Sequence, residues 1–153
     1  DLSEFSIDLF NFIRPDDINI NVAVKNSDDK VTFYYQKKLS QLTTINKEIA
    51  NQRMQGHIKQ MEIKSNKLTT IINNTKYKNR KIDFLNVDLE GADFEALKSL
   101  DFNIYRPKLI CVEIYDENIE KSNINIFLEN LKYTRKWSAT FSHLYTDNSF
   151  DFD

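Results

Sequence analysis

Residues 81–114 carry the pattern that most restricts what this chain can fold into. Ile82 to Val87 is a compact apolar run, and Leu109 to Ile114 is a second one. Between them Phe94, Leu97 and Leu100 recur at helical spacing, with Asp93 and Glu95 in the first turn, where acids complement the positive end of the helix dipole. Pro107 marks the break before the second run. Apolar strand, helix and apolar strand within about 30 residues make a βαβ unit, which predicts two parallel strands in one buried sheet. The expected class is α/β.

The flanking segments fill in around that unit. Ile18, Ile20, Val22 and Val24 alternate with polar or small residues, Asn26 to Asp29 reads as a turn, and Val31, Phe33 and Tyr35 alternate again. The pattern predicts a hairpin. Residues 40–60 read as a weakly amphipathic helix anchored by Ile45, Ile49 and Ile58, either a mobile cover over a site or an ordinary surface helix. A further helix is predicted from Ile124, Phe127, Leu128 and Leu131, followed by two short strands at about 133–139 and 143–147. No repeat or low-complexity linker divides the 153 residues, so a single domain over 1–153 is expected.

Composition narrows the chemistry. The only glycines, Gly56 and Gly91, lie 35 residues apart, so the chain holds neither a G-x-G-x-x-G turn nor a phosphate-cradling P-loop. Disorder is excluded by 41% hydrophobic and 12% aromatic residues. Asn and Ile occur 17 times each against 5 Ala, a coding bias with no functional meaning. A net charge of −2 argues against nucleic acid as a partner, and the basic run Lys76 to Lys81 reads as a solvated stretch or a contact to an anionic substrate. Cys111, the single cysteine, permits no internal disulfide and reads as a small packing residue. No apolar stretch reaches the ~20 residues of a membrane span, so no membrane partner and a cytoplasmic location are expected. His57 reads as a surface residue, His143 as a core or site residue, and Trp137 with Tyr133 as hairpin packing.

In parallel α/β sheets ligands bind at the carboxyl ends of the strands. Asp88 and Glu90 follow one such end and Glu113 lies near another, so three carboxylates could face one crevice. They could act as general base, ligate a hard cation or balance a cationic cofactor. Gly91, directly after Glu90, lets the backbone turn sharply and approach a ligand. The plainer alternative is that Asp88 and Glu90 cap the following helix.

The segment KIDFLNVDLEGADFEALKSLDFNIYRPKLICVEI, Lys81 to Ile114, resembles the FkbM family of S-adenosylmethionine-dependent methyltransferases, in which Asp-x-Glu-Gly closes one strand and Arg-Pro-Lys precedes another ending in Val-Glu. Ser6 to Val24 resembles the family's segment after its second strand, and Ser142 to Asn148 its last strand, while residues 36–66 match only loosely. The resemblance implies a Rossmann-like class I methyltransferase sheet, mostly parallel with an antiparallel last strand. On that template Asp1 falls at the end of the second strand, where an acid hydrogen-bonds the cofactor ribose, with Asp88 and Gly91 also on the cofactor side. The first strand and its glycine-rich loop would precede Asp1, so the chain is expected to be a truncated piece of a longer enzyme. The implied cofactor is S-adenosylmethionine, with no metal, and the acceptor is a hydroxyl of a small molecule, sugar or glycan. Asp88 is the expected base, supported by Glu90 and Glu113. Two other readings stay open: a metal-dependent glycosyltransferase-like enzyme using Asp-x-Glu, and a non-catalytic interaction module.

Overall fold

The computed structural model describes residues 1–37 and 42–150. It is a mixed α/β structure whose chain gathers into two compact units, Asp1–Lys78 with Glu90–Ser99, and Asn79–Leu89 with Leu100–Asp153. No helix among the described residues is long and apolar enough to cross a membrane.

The first unit opens with α1 (Glu4–Ile13), whose Ser3 cap accepts the Ser6 amide. A three-stranded sheet follows, formed by β1 (Ala23–Val24), β2 (Lys30–Tyr35) and β3 (Lys59–Asn66) in the order β1-β3-β2. The expected hairpin between residues 18–24 and 31–35 does not form. β1 is two residues long and runs parallel to β3, which separates it from β2 and pairs with β2 antiparallel. The turn acids explain the rearrangement. Asp29 accepts the Ser65 hydroxyl at 2.5 Å, and Asp28 accepts the Asn66 side-chain amide and the Lys67 amide at 2.9 Å each, so the turn binds the end of β3. These hydrogen bonds hold both carboxyls below the ordinary carboxylate range.

The predicted helix over 40–60 also shrinks. Its first two residues lie outside the described residues, and the helical part is α2 (Lys47–Arg53). Gly56 then takes a left-handed φ of 88°, and the chain enters β3. Two further short helices belong to this unit, α3 (Leu68–Asn73) and α4 (Asp93–Lys98). α4 carries Asp93 and Glu95 in its first turn as predicted, but it ends before Leu100, which falls in the second unit.

The second unit is built on the sheet β4 (Phe84–Val87), β5 (Leu109–Glu113), β6 (Tyr133–Ser138) and β7 (Ser142–Asp147), in the order β4-β5-β7-β6. β4 and β5 are parallel, with Phe84 opposite Leu109 and Val87 opposite Val112. β7 runs antiparallel to both β5 and β6. One face carries Ile110, Val112 and Tyr145, all at most 1% exposed. α5 (Asn123–Asn130), capped by Ser122, contributes Leu128 to this core and is tied to the sheet where the Tyr145 hydroxyl donates to Asn125 Oδ1 at 2.8 Å. Burial pushes the Tyr145 phenol up to about 12. An irregularity between Arg135 and Trp137 shifts the register of β6, so Trp137 lies opposite Leu144 and is 57% exposed while Tyr133 is buried. Tyr133 thus packs as its spacing implies, while Trp137 stays largely outside the core.

His143 is 2% exposed in β7, opposite Val112 of β5 and Ser138 of β6. Its Nδ1 lies 3.0 Å from the Ser138 hydroxyl, and its Nε2 has no hydrogen-bond partner among the described residues. Burial, with the Arg135 charge as a second cause, holds its pKa below the ordinary 6.5. The unfolded chain takes up this proton more readily than the fold does, so acidification through the window below 6.5 favours unfolding. Urea midpoints should fall between pH 7.5 and 5, and the part due to this residue should vanish in His143→Phe. An unchanged pH slope in that variant would exclude His143 as the cause.

Candidate functional site

The register of the β4–β5 pair places two of the expected residues side by side. Val87 and Val112 are partners, so Asp88 and Glu113 each stand one residue further on, at the carboxyl ends of parallel strands. Asp88 is exposed and Glu113 half-buried, and Glu113 accepts the Tyr115 hydroxyl at 2.6 Å. Glu113 also faces Ser142 across the β5–β7 ladder. Cys111, one pleat below Glu113, is half-buried. Its thiol is pushed up by burial and further by the charges of Asp88 and Glu113, which keeps it protonated and unreactive at neutral pH. The second unit thus presents a carboxylate rim with a phenol and a hydroxyl beside it.

Glu90, Gly91 and Asp1 fall in the first unit. Glu90 has a φ of 50°, in the left-handed region that costs a residue with a Cβ about 1 kcal/mol. Its carboxylate pairs with Arg53, and its backbone carbonyl accepts the Thr44 hydroxyl at 2.9 Å. Gly91 follows at φ 89°, and a Cβ placed there would overlap Ile49 Cδ1. The missing side chain is thus used by packing from α2, a reason the sequence pattern did not contain. Neither Asp88 nor Glu90 caps α4: its N-cap is Ala92 without a side-chain hydrogen bond, and the buried Asp93 accepts the Gly91 amide at 3.1 Å. The helix-capping alternative is overturned. Asp1 is exposed, with Oδ1 accepting the Ser3 amide at 2.7 Å.

The first unit also holds a groove of about 370 Å³ between α1 and the β2–β3 face. Phe33 and Tyr35, stacked at 5.4 Å, and Met61 give it an apolar wall, while Asp8, Asn21 and Thr43 bring polar groups to its edge. Thr43 is chain neighbour to Thr44, which holds Glu90. Among the described residues no three His, Cys, Asp or Glu side chains converge as a metal site would require. His57 is exposed, as its polar surroundings in the sequence imply.

The residues that sequence reasoning missed are Tyr115, Thr44 and Arg53. Tyr115 lies just past the apolar run and carries no periodic signal, and the other two reach Glu90 across 46 and 37 residues of chain.

The family model of the methyltransferase FkbM domain matches residues 3–143, and the chain belongs to that methyltransferase family. No curated protein and no solved structure matches it.

Proposed function

We propose that the chain is an S-adenosylmethionine-dependent O-methyltransferase acting on a hydroxyl of a sugar, glycan or similar metabolite. Family membership supports methyl transfer, and the observation that carries the finer reading is the adjacent pair Asp88 and Glu113 at the carboxyl ends of β4 and β5. The parallel β4–β5 pair with β7 reversed beside it supports a Rossmann-like methyltransferase sheet.

The donor set fits the cofactor by charge. A sulfonium is a cation, and the two carboxylates on one rim of the second unit, Asp88 and Glu113, suit it. When bound, the cofactor supplies a methyl group on positively charged sulfur. An alcohol is a weak nucleophile until its proton leaves, so the task of this chain is proton removal and alignment. Asp88, exposed at the rim, takes the acceptor proton. Glu113, which accepts the Tyr115 hydroxyl, adds a second negative charge beside Asp88.

Calorimetric titration of the protein with S-adenosylhomocysteine tests the cofactor assignment. Binding supports the reading, and its absence overturns it. Nucleotide-sugar binding that requires manganese or magnesium would instead support the glycosyltransferase-like alternative.

A further inference from the structure

The Glu90–Gly91 turn is held from one helix at both of its ends. At the start of α2, Asn46 caps the helix by accepting the Glu48 and Ile49 amides at 2.9 and 3.2 Å. The Asn46 amide in turn donates to the Thr44 hydroxyl at 3.0 Å, and that hydroxyl donates onward to the Glu90 carbonyl. Thr44 is 1% exposed, so this relay is shielded from water. At the last residue of α2, Arg53 donates to the Glu90 carboxylate, whose side chain is 18% exposed. Between the two holds, Ile49 fills the space a side chain at Gly91 would need. Glu90, a residue with a Cβ in the left-handed region, persists there only where its surroundings over-determine it, and here the surroundings are residues of α2 and its cap.

We infer that Arg53 is a positioning residue: by fixing the Glu90 carboxylate it sets the conformation of the Glu90–Gly91 turn, and through that turn it supports cofactor binding. This rests on the methyltransferase reading for its functional consequence but not for its structural one. The ion pair engages Glu90 as an anion, which leaves Asp88 as the acid of this motif that acts on substrate. Thr44 supports the same turn through the backbone, so the two holds are separable by substitution.

The test compares Arg53→Ala, Arg53→Lys and Thr44→Val by hydrogen exchange at the Glu90, Gly91 and Ala92 amides and by titration with S-adenosylhomocysteine. Arg53→Ala should speed exchange at those amides about fivefold, the worth of a partly exposed ion pair, while amides of β5 and β7 stay unchanged. It should weaken S-adenosylhomocysteine by a similar factor, and Arg53→Lys should recover part of both. Thr44→Val should speed the same amides. Unchanged exchange in Arg53→Ala overturns the inference whatever the ligand does. If the parent protein shows no ligand binding while exchange responds, the positioning role stands and the cofactor reading falls. Altered exchange with unaltered affinity in a chain that does bind would overturn the link to the cofactor.

Discussion

Replacing Asp88 by alanine is expected to lower methyl transfer by a factor of roughly 10²–10⁴, the usual worth of a positioned general base. The reasoning begins with exposure. Asp88 lies just past the end of β4 on the solvent side, so its removal opens no cavity and leaves the Phe84–Val87 ladder to β5 intact. Thermal midpoint and circular dichroism should therefore match the parent protein. Asp88→Asn keeps the shape and removes the proton-accepting charge, so it should lose nearly as much rate as the alanine variant. If Asp88 removes the acceptor proton, S-adenosylhomocysteine should bind both variants nearly as well as the parent, with the loss confined to turnover. If instead the carboxylate serves the cofactor, affinity falls together with rate. Full activity in either variant would remove Asp88 from the mechanism and turn attention to Glu113, one strand over.

How much of this was legible in the sequence follows from the range of the interactions involved. The β4–α4–β5 segment could be read because each of its signals is local: two short apolar runs, acids in the first helical turn, and a proline ahead of the second strand. Parallel pairing then followed from the handedness and length of the crossover. β3 escaped notice although its Met61, Ile63 and Ser65 alternate with Glu62 and Lys64. The period was diluted by lysine and glutamine, and the sheet it centres is recruited by Asp28 and Asp29 from more than thirty residues away. The same holds at the site. Asp88 and Glu113 announce themselves as strand-end carboxylates, and each follows directly on the last paired residues of β4 and β5, Val87 and Val112. The role of Gly91 was read as close approach of a ligand, but the space it leaves is occupied by Ile49, a contact no local pattern encodes. Trp137 and Tyr133 show the reverse failure: the period-2 rule puts them on one face, and a one-residue irregularity in β6 separates them.

The largest stability loss is expected at Arg106. Its Nε and Nη2 donate to the two oxygens of Asp147 at 2.7 and 2.8 Å, Nη2 also donates to the Leu131 carbonyl at 2.7 Å, and the guanidinium stacks 5.0 Å from the Tyr133 ring centre. One side chain thus joins the segment before β5 to the ends of α5, β6 and β7. Burial of Asp147, whose side chain is 6% exposed, would raise its pKa, yet the bonds from Arg106 and from the Ser149 amide and hydroxyl outweigh that and hold the carboxyl low. Arg106→Ala leaves this buried carboxylate without its cation, a change that typically costs about 3–5 kcal/mol. The Asp147 pKa should then rise, so the deficit of the variant relative to the parent should be largest at neutral pH and shrink on acidification. Arg106→Lys should recover only part of the loss, because an ammonium cannot reproduce the two-pronged contact or the stacking. Arg106→Met combined with Asp147→Leu should lose less than Arg106→Ala alone, since it removes both charges together. Urea unfolding followed by Trp137 fluorescence in β6 measures all three, and an Arg106→Ala midpoint equal to that of the parent would show that the fork does not hold this end of the sheet.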